Sequence, residues 1–162
     1  MRARQSLVPL VASVLALTIL LPASPASSGS CWTYSNKEKA FVRKINASRD
    51  NNGLRNLKPD RHLSRVARAH TNAMVRDWNL YHTPNLGGKV TRWNRLGENV
   101  GYGSRVGSLH RAFMASPGHR DNILGRYRWV GIGTRKVDGR LWVTVVFESR
   151  RDPGTTMWMP RC

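Results

Sequence analysis

The sequence predicts an α/β protein in which a small, mainly antiparallel sheet lies between helical layers. Three observations carry this prediction. Helical apolar periodicity dominates the first two-thirds of the chain, an Asp138-Gly139 pair separates two runs rich in Val, Ile, Trp and Phe, and the second run is apolar on both faces. A strand with two apolar faces needs cover on both sides, and in a mostly helical chain that cover comes from helices.

The chain starts with Arg2 and Arg4, an uncharged apolar stretch from Leu7 to Leu21, and a run of small residues from Pro22 to Ser30. This order reads as a secretory signal with cleavage near Ala26. Residues 1–26 are then the leader, and 27–162 form a single domain with short terminal extensions. The rival reading is an uncleaved membrane anchor, but a spanning helix needs roughly 20 apolar residues and this stretch has about fifteen. No transmembrane span is expected in the mature chain, and a secreted, extracellular or cell-wall location follows.

A first helix is expected from Asn36 to Ser48, with Asn36 as its cap and Ala40, Phe41, Ile45 and Ala47 as apolar positions. The Asp50-Asn51-Asn52-Gly53 cluster ends it. A second helix runs from Arg61 to Leu80 behind an Asp60 cap, with Leu63, Val66, Ala67, Ala73, Met74 and Trp78 along one stripe. Tyr81-His82-Thr83 leaves this helix, and Gly97-Glu98-Asn99-Val100 reads as a second, glycine-marked break. A third helix spans Val106 to about Ala115, burying Val106, Leu109, Ala112 and Phe113.

Ser116-Pro117 then restarts the chain, with the serine hydroxyl as cap and the proline preset for a first turn. His119 falls in that turn, where the positive end of the helix dipole disfavours an imidazolium. Strands at Trp129–Val137 and Arg140–Ser149 follow, joined by the tight-turn signal Asp138-Gly139. In the second strand Leu141, Val143, Val145 and Phe147 point one way, and Trp142, Thr144 and Val146 the other.

Charge is the strongest compositional signal. The full chain carries a formal +18; loss of Arg2 and Arg4 with the leader leaves 25 basic against 9 acidic residues and a formal +16. Such a surface attracts anionic envelope polymers or lipids in a salt-dependent way; a solvated basic face serving solubility is the alternative. No zinc-finger, basic-zipper or aromatic RNA-binding signature accompanies the arginines, so no specific nucleic acid is expected. A protein partner stays open, and the chain is expected to be a monomer.

The two cysteines, Cys31 and Cys162, stand at opposite ends of the mature chain. In an oxidising compartment they can form one bridge closing the whole domain, worth up to ~4 kcal/mol in the chain-entropy model. Lipid attachment at Cys31, which follows Ser28-Gly29-Ser30, is the alternative. Neither cysteine has a neighbour at metal-ligand spacing.

The candidate chemistry lies in three separated segments: His82 in Tyr81-His82-Thr83, Glu98 in Gly97-Glu98-Asn99, and His119 in Ser116-Pro117-Gly118-His119-Arg120-Asp121-Asn122-Ile123-Leu124. Separations of 16 and 21 residues keep them from meeting on one helix. If the fold brings them together, two imidazoles and a carboxylate suit a divalent cation such as zinc, with a position left for water. The alternative is that Glu98 accepts hydrogen bonds from one or both rings and keeps a cleft ordered.

These segments, in this order and followed by Val130-Gly131-Ile132-Gly133 and a final apolar strand, resemble the bacterial branch of the CAP superfamily. That family shares the SCP domain of cysteine-rich secretory, antigen 5 and pathogenesis-related proteins. The resemblance covers roughly Lys37 to Glu148. It implies a three-layer α-β-α sandwich with a cleft into which His82, Glu98 and His119 project. Many eukaryotic members carry a further glutamate where this chain has Ser116, so Ser116 takes that place in the cleft.

Two functions remain open at this level. One is a binding or interaction module with a cleft for a cation or small ligand; the other is a metal-assisted extracellular hydrolase or peptidase using His82, Glu98 and His119. The missing second glutamate and the absence of a Gly-x-Ser-x-Gly elbow favour binding over catalysis. Among other polar residues, His70 is expected packed or at the surface, His62 and His110 exposed on helices, and Glu148 paired with an arginine. Trp78, Trp93, Trp129 and Trp142 are expected in the core, and Trp158 over an apolar surface near Cys162.

Overall fold

The computed structural model describes residues 32–159; the leader and both cysteines, Cys31 and Cys162, lie outside the described residues. In chain order the elements are α1 (Asn36–Asp50), β1 (Lys58–Pro59), α2 (Arg61–Arg76), the single turn α3 (Leu86–Lys89), β2 (Val90–Thr91), β3 (Leu96–Gly103), α4 (Val106–Ala115), α5 (Pro117–Leu124), β4 (Trp129–Val137), β5 (Arg140–Glu148) and β6 (Gly154–Thr155). A four-stranded sheet has the order β1-β4-β5-β3, and β2 and β6 form a separate small ladder. Strand β1 pairs in parallel with β4; the other ladders are antiparallel.

The β4–β5 hairpin turns at Asp138 and Gly139, with φ of 47° and 72°. Two consecutive positive φ values match the right-handed strand twist, which is why Asp-Gly occupies this turn. Strand β5 is buried along almost its whole length and divides the core between two layers. Leu141, Val143, Val145 and Phe147 pack with Phe41, Ile45, Leu109, Phe113 and Ile123 beneath α1, α4 and α5. On the other face Val146 joins Leu63, Val66 and Ala67 of α2, and Trp142 joins Met74 and Val100. The architecture is thus the three-layer α-β-α sandwich expected from the two-faced strand.

Thr144 is the polar exception on the α2 face, and its hydroxyl accepts a 2.9 Å hydrogen bond from Thr71 Oγ1. Helix α2 lies almost directly on β4. A side chain at Gly131 or Gly133 would collide with the α2 backbone at Leu63, Ser64 or Ala67, Arg68, so glycine sets the helix–sheet distance.

Local chemistry revises several expectations. The cap of α1 is Ser35, not Asn36: the Ser35 hydroxyl accepts from Glu38 N at 3.2 Å and Glu38 Oε2 accepts from Ser35 N at 2.8 Å. This reciprocal pair is the Ser-x-x-Glu capping box, readable in the sequence. Helix α2 stops at Arg76 rather than Leu80. Asn79 N donates to Met74 O at 3.1 Å and Trp78 N to Val75 O at 3.3 Å, a Schellman closure with Trp78 in the left-handed position at φ 47°.

That turn lifts the Trp78 ring out of the α2 stripe, leaving it exposed against Trp142 at a 5.5 Å centroid distance. Trp93 is exposed as well, with Nε1 donating to Gly87 O at 2.9 Å, while Trp142 is buried. Trp158 is exposed, beneath the Arg65 guanidinium at 6.0 Å. On α4, His110 is buried and Ala112 exposed, so the packed face is rotated from the expected one. His62 is half-buried, its Nδ1 lying 3.1 Å from Pro153 O. Glu148, fully buried, meets main-chain amides rather than an arginine side chain, accepting from Asn94 N at 3.0 Å and Arg150 N at 2.6 Å.

Candidate functional site

Gly97-Glu98-Asn99-Val100 is not a break but the body of β3, paired antiparallel to Val145, Val146 and their neighbours on β5. Strand β3 lies at the edge of the four-stranded sheet but is paired along its whole length with β5, and Glu98 is buried at 9 % exposure beside the chain that leaves α2. Three bonds fix that departing chain. His70 Nε2 donates to Tyr81 O at 2.7 Å, since a carbonyl only accepts, Tyr81 donates to Asp77 Oδ2 at 2.6 Å, and Thr83 N donates to Glu98 Oε2 at 2.9 Å.

His82 sits between the last two of these anchors. Its Nδ1 lies 2.7 Å from Glu98 Oε2. An ionised carboxylate has nothing to donate, so Nδ1 carries the proton and the Nε2 lone pair is left on a side chain that is 66 % exposed. The remaining oxygen, Oε1, accepts the Thr83 hydroxyl. Both oxygens of Glu98 are therefore engaged by donors, and the carboxylate orients the imidazole from behind.

His119 arrives from the other helical layer. Its ring packs on Phe113, with centroids 4.8 Å apart, and its Nδ1 is buried without a hydrogen-bond partner among the described residues. Burial lowers its pKa, and the neighbouring His82 is a lesser cause in the same direction. His119 is thus held neutral, chiefly by desolvation. Ser116, at the head of the same helix, makes no capping hydrogen bond with its side chain, contrary to expectation; its ψ of 120° with Pro117 following starts the helix instead.

Two asparagines that carried no role in the sequence reading bolt α5 to β3. Asn99, fully buried, donates from Nδ2 to His119 O at 2.9 Å. Asn122 Nδ2 donates to Glu98 O at 3.0 Å and to Asn99 Oδ1 at 2.9 Å. Gly97 leaves the room this requires, because a side chain there would strike Tyr127 Oη and Asn122 Oδ1. Asn99 follows Glu98 directly and Asn122 lies three residues beyond His119, and their hydrogen-bonded amides are the signal that marks them.

The arrangement offers an outward-facing Nε2 on His82 and a neutral imidazole on His119. No group of three His, Cys, Asp or Glu side chains converges to hold a metal ion among the described residues. Among them, too, no helix is long and apolar enough to cross a membrane.

The family model for the cysteine-rich secretory protein family, CAP, matches residues 42–147. The uncharacterized protein YkwD of Bacillus subtilis (strain 168) is 32 % identical over 116 residues, covering 65 % of this chain and 44 % of its own length; the chain thus spans under half of that curated relative. Among solved structures, an outer surface protein from Borrelia burgdorferi superposes with a TM-score of 0.64 at 19 % identity, over 70 % of this chain and 92 % of that one. An extracellular protein containing a SCP domain from Bacillus anthracis superposes with a TM-score of 0.58 at 23 % identity, over 70 % and 41 % of the two chains. With the motif-bearing strand, both histidines and most of the sandwich lying inside the matched span, the chain belongs to the CAP, or cysteine-rich secretory protein, family.

Proposed function

We propose that this CAP protein is an exported binding or interaction module, acting at the cell envelope or outside the cell, whose His82–Glu98–His119 cleft takes a divalent cation or a small ligand. One observation carries the reading: buried Glu98 fixes the proton of His82 on Nδ1 and leaves Nε2 facing outward on an anchored ring. A carboxylate behind an imidazole is the arrangement that raises ligand basicity and selects the coordinating nitrogen. Imidazole nitrogens are donors of the type a zinc-like ion takes, so in this reading the two histidines would hold the ion with Glu98 as the orienting group, and a bound ion would polarise a water or a ligand oxygen.

A relative described as an outer surface protein and another described as extracellular support an exported location, as do the leader-like first residues. The formal +16 of the mature chain supports a setting rich in anionic polymer or lipid.

Calorimetric titration of the purified protein with zinc tests the cleft. Saturable binding lost in both His82→Ala and His119→Ala is the expected result; heat unchanged by either substitution would sink the proposal. Incubation with a diverse peptide library, with and without chelator, separates binding from hydrolysis. Metal-dependent cleavage abolished by His119→Ala would replace the binding reading with a peptidase.

A further inference from the structure

A concavity lies at the β1 edge of the main sheet, the edge opposite the strand that carries Glu98. It has a volume of about 300 Å³ and is lined by Arg55, Lys58, Arg128, Trp129 and Arg151, with no acidic side chain in its wall. None of the four cations makes an ion pair among the described residues, whose ion pairs are Arg68–Glu38, Arg76–Asp77, His82–Glu98 and Arg92–Asp152. Trp129 adds a buried indole N–H that has no hydrogen-bond partner among them.

Four like charges lining one hollow repel one another, and a surface chosen for solubility alone would space them apart or intersperse acids. Here the backbone draws them together. Lys58 and Trp129 are register partners in the parallel ladder, Lys58 N donates to Arg128 O at 2.9 Å, and Arg128 N donates to Glu148 O at 2.8 Å, immediately before residues 149–151 leave β5. The Glu148 carboxylate does not neutralise them, being walled off at full burial and committed to the amides of Asn94 and Arg150.

The loop that presents Arg55 is equally constrained. Arg49, itself buried, donates from Nε to Arg55 O and from Nη1 to Ile123 O and Gly125 O, each at 2.8 Å. Asn46 exchanges two bonds with the Leu57 main chain, at 2.9 and 3.0 Å. The cations thus project from a floor that is ordered before any ligand arrives, which spares the entropy of assembling the site.

We propose that this hollow is a binding site for a phosphate-type oxyanion, recognised by the Arg55, Arg128 and Arg151 guanidinium groups and the Lys58 ammonium. Guanidinium forks match a tetrahedral oxyanion bidentately, and the ammonium adds a point charge. The volume admits a phosphate group together with part of what carries it, so the source is either a soluble phosphate compound or a lipid headgroup. The site is independent of the histidine cleft and of its cation.

Titration of the full protein with inorganic pyrophosphate at physiological ionic strength, followed by nuclear magnetic resonance, tests it. Saturable binding is expected, weakened roughly tenfold or more in the double variant Arg128→Ala/Arg151→Ala because charge-assisted bonds are lost. The charge-matched control Arg111→Ala/Lys136→Ala, which removes two exposed cations elsewhere, should bind as wild type does. Equal weakening in both double variants, or no saturable binding by wild type, would overturn the site in favour of diffuse charge. Vesicles of phosphatidylcholine with phosphatidylglycerol identify the source: selective loss of vesicle binding in Arg128→Ala/Arg151→Ala assigns the headgroup, and vesicle binding that is the same in the two double variants, alongside selective loss of pyrophosphate, assigns the soluble compound. His82→Ala should leave pyrophosphate binding unchanged, so failure of the cleft and failure of this site are separable.

Discussion

Glu98 and Glu148 occupy comparable positions and do different things. Each is a buried carboxylate on a strand of the same sheet, on β3 and at the end of β5, and each accepts main-chain N–H bonds. Among the described residues Glu148 has only those amides, from Asn94 and Arg150. Glu98 also holds the ring of His82, which is largely exposed. A buried carboxylate whose donors all belong to the main chain closes a turn; one that also holds a solvent-facing imidazole can aim a ligand atom. Burial and residue type do not tell the two carboxylates apart, whereas the identity of the last partner does.

The largest expected effect lies on the architectural side. Glu148→Ala leaves the Asn94 and Arg150 amides without their buried acceptor and should cost about 2–4 kcal/mol in urea unfolding. Zinc affinity of the fraction that folds should be unchanged; a selective loss of zinc binding would erase the distinction drawn between the two carboxylates.

Glu98→Gln is next. Glutamine offers one acceptor oxygen where Thr83 N, Thr83 Oγ and His82 Nδ1 all donate, so stability should drop by about 1–2 kcal/mol. Zinc affinity should fall about 10–100-fold, the usual consequence of losing an orienting carboxylate. Unaltered affinity in calorimetry would mean that Glu98, like Glu148, serves only the fold.

The histidines repeat the contrast. His110 is buried on α4 beside Ser48 Oγ at 3.3 Å, and burial, with Lys44 as a lesser cause, lowers its pKa. The unfolded chain then binds a proton more readily than the folded one, so stability is retained above the ordinary imidazole value and is lost as pH falls below it toward the lowered native value. Burial of His119 adds a contribution of the same sign. Urea midpoints should fall between about pH 7.5 and pH 5, and less steeply in His110→Asn; an identical slope would refute the assignment. His82→Ala, on the exposed side of the comparison, should change stability least, within ~0.5 kcal/mol, while abolishing zinc binding.

Much of this molecule was legible from local signals. The Asp138-Gly139 hairpin lies where expected, with strands that differ from the expected bounds by at most one residue. The alternation of Leu141, Val143, Val145 and Phe147 against Trp142, Thr144 and Val146 appears as the two faces of β5. Helix α4 has its expected bounds. Errors cluster where a short-range rule met a competing contact: the Ser35 capping box displaced Asn36, and a left-handed Trp78 ended α2 early. Gly97 read as punctuation because a small residue signals a turn, yet here it clears space for Tyr127 and Asn122 beside a strand.

By itself, the sequence determined the class of fold, the hairpin, the two-faced central strand and the motifs that carry the family. Those features depend on periodicity and turn chemistry acting over a few residues. Only the tertiary structure decided that Glu98 backs His82, that Asn99 and Asn122 bolt His119 to the strand, that His110 is buried, and that Arg55, Lys58, Arg128 and Arg151 share one hollow. Each of these joins segments far apart in the chain, up to the 96 positions between Arg55 and Arg151, or sets a helix's rotation on its sheet. Such contacts are chosen by how whole layers pack, a quantity no local stretch of chain contains.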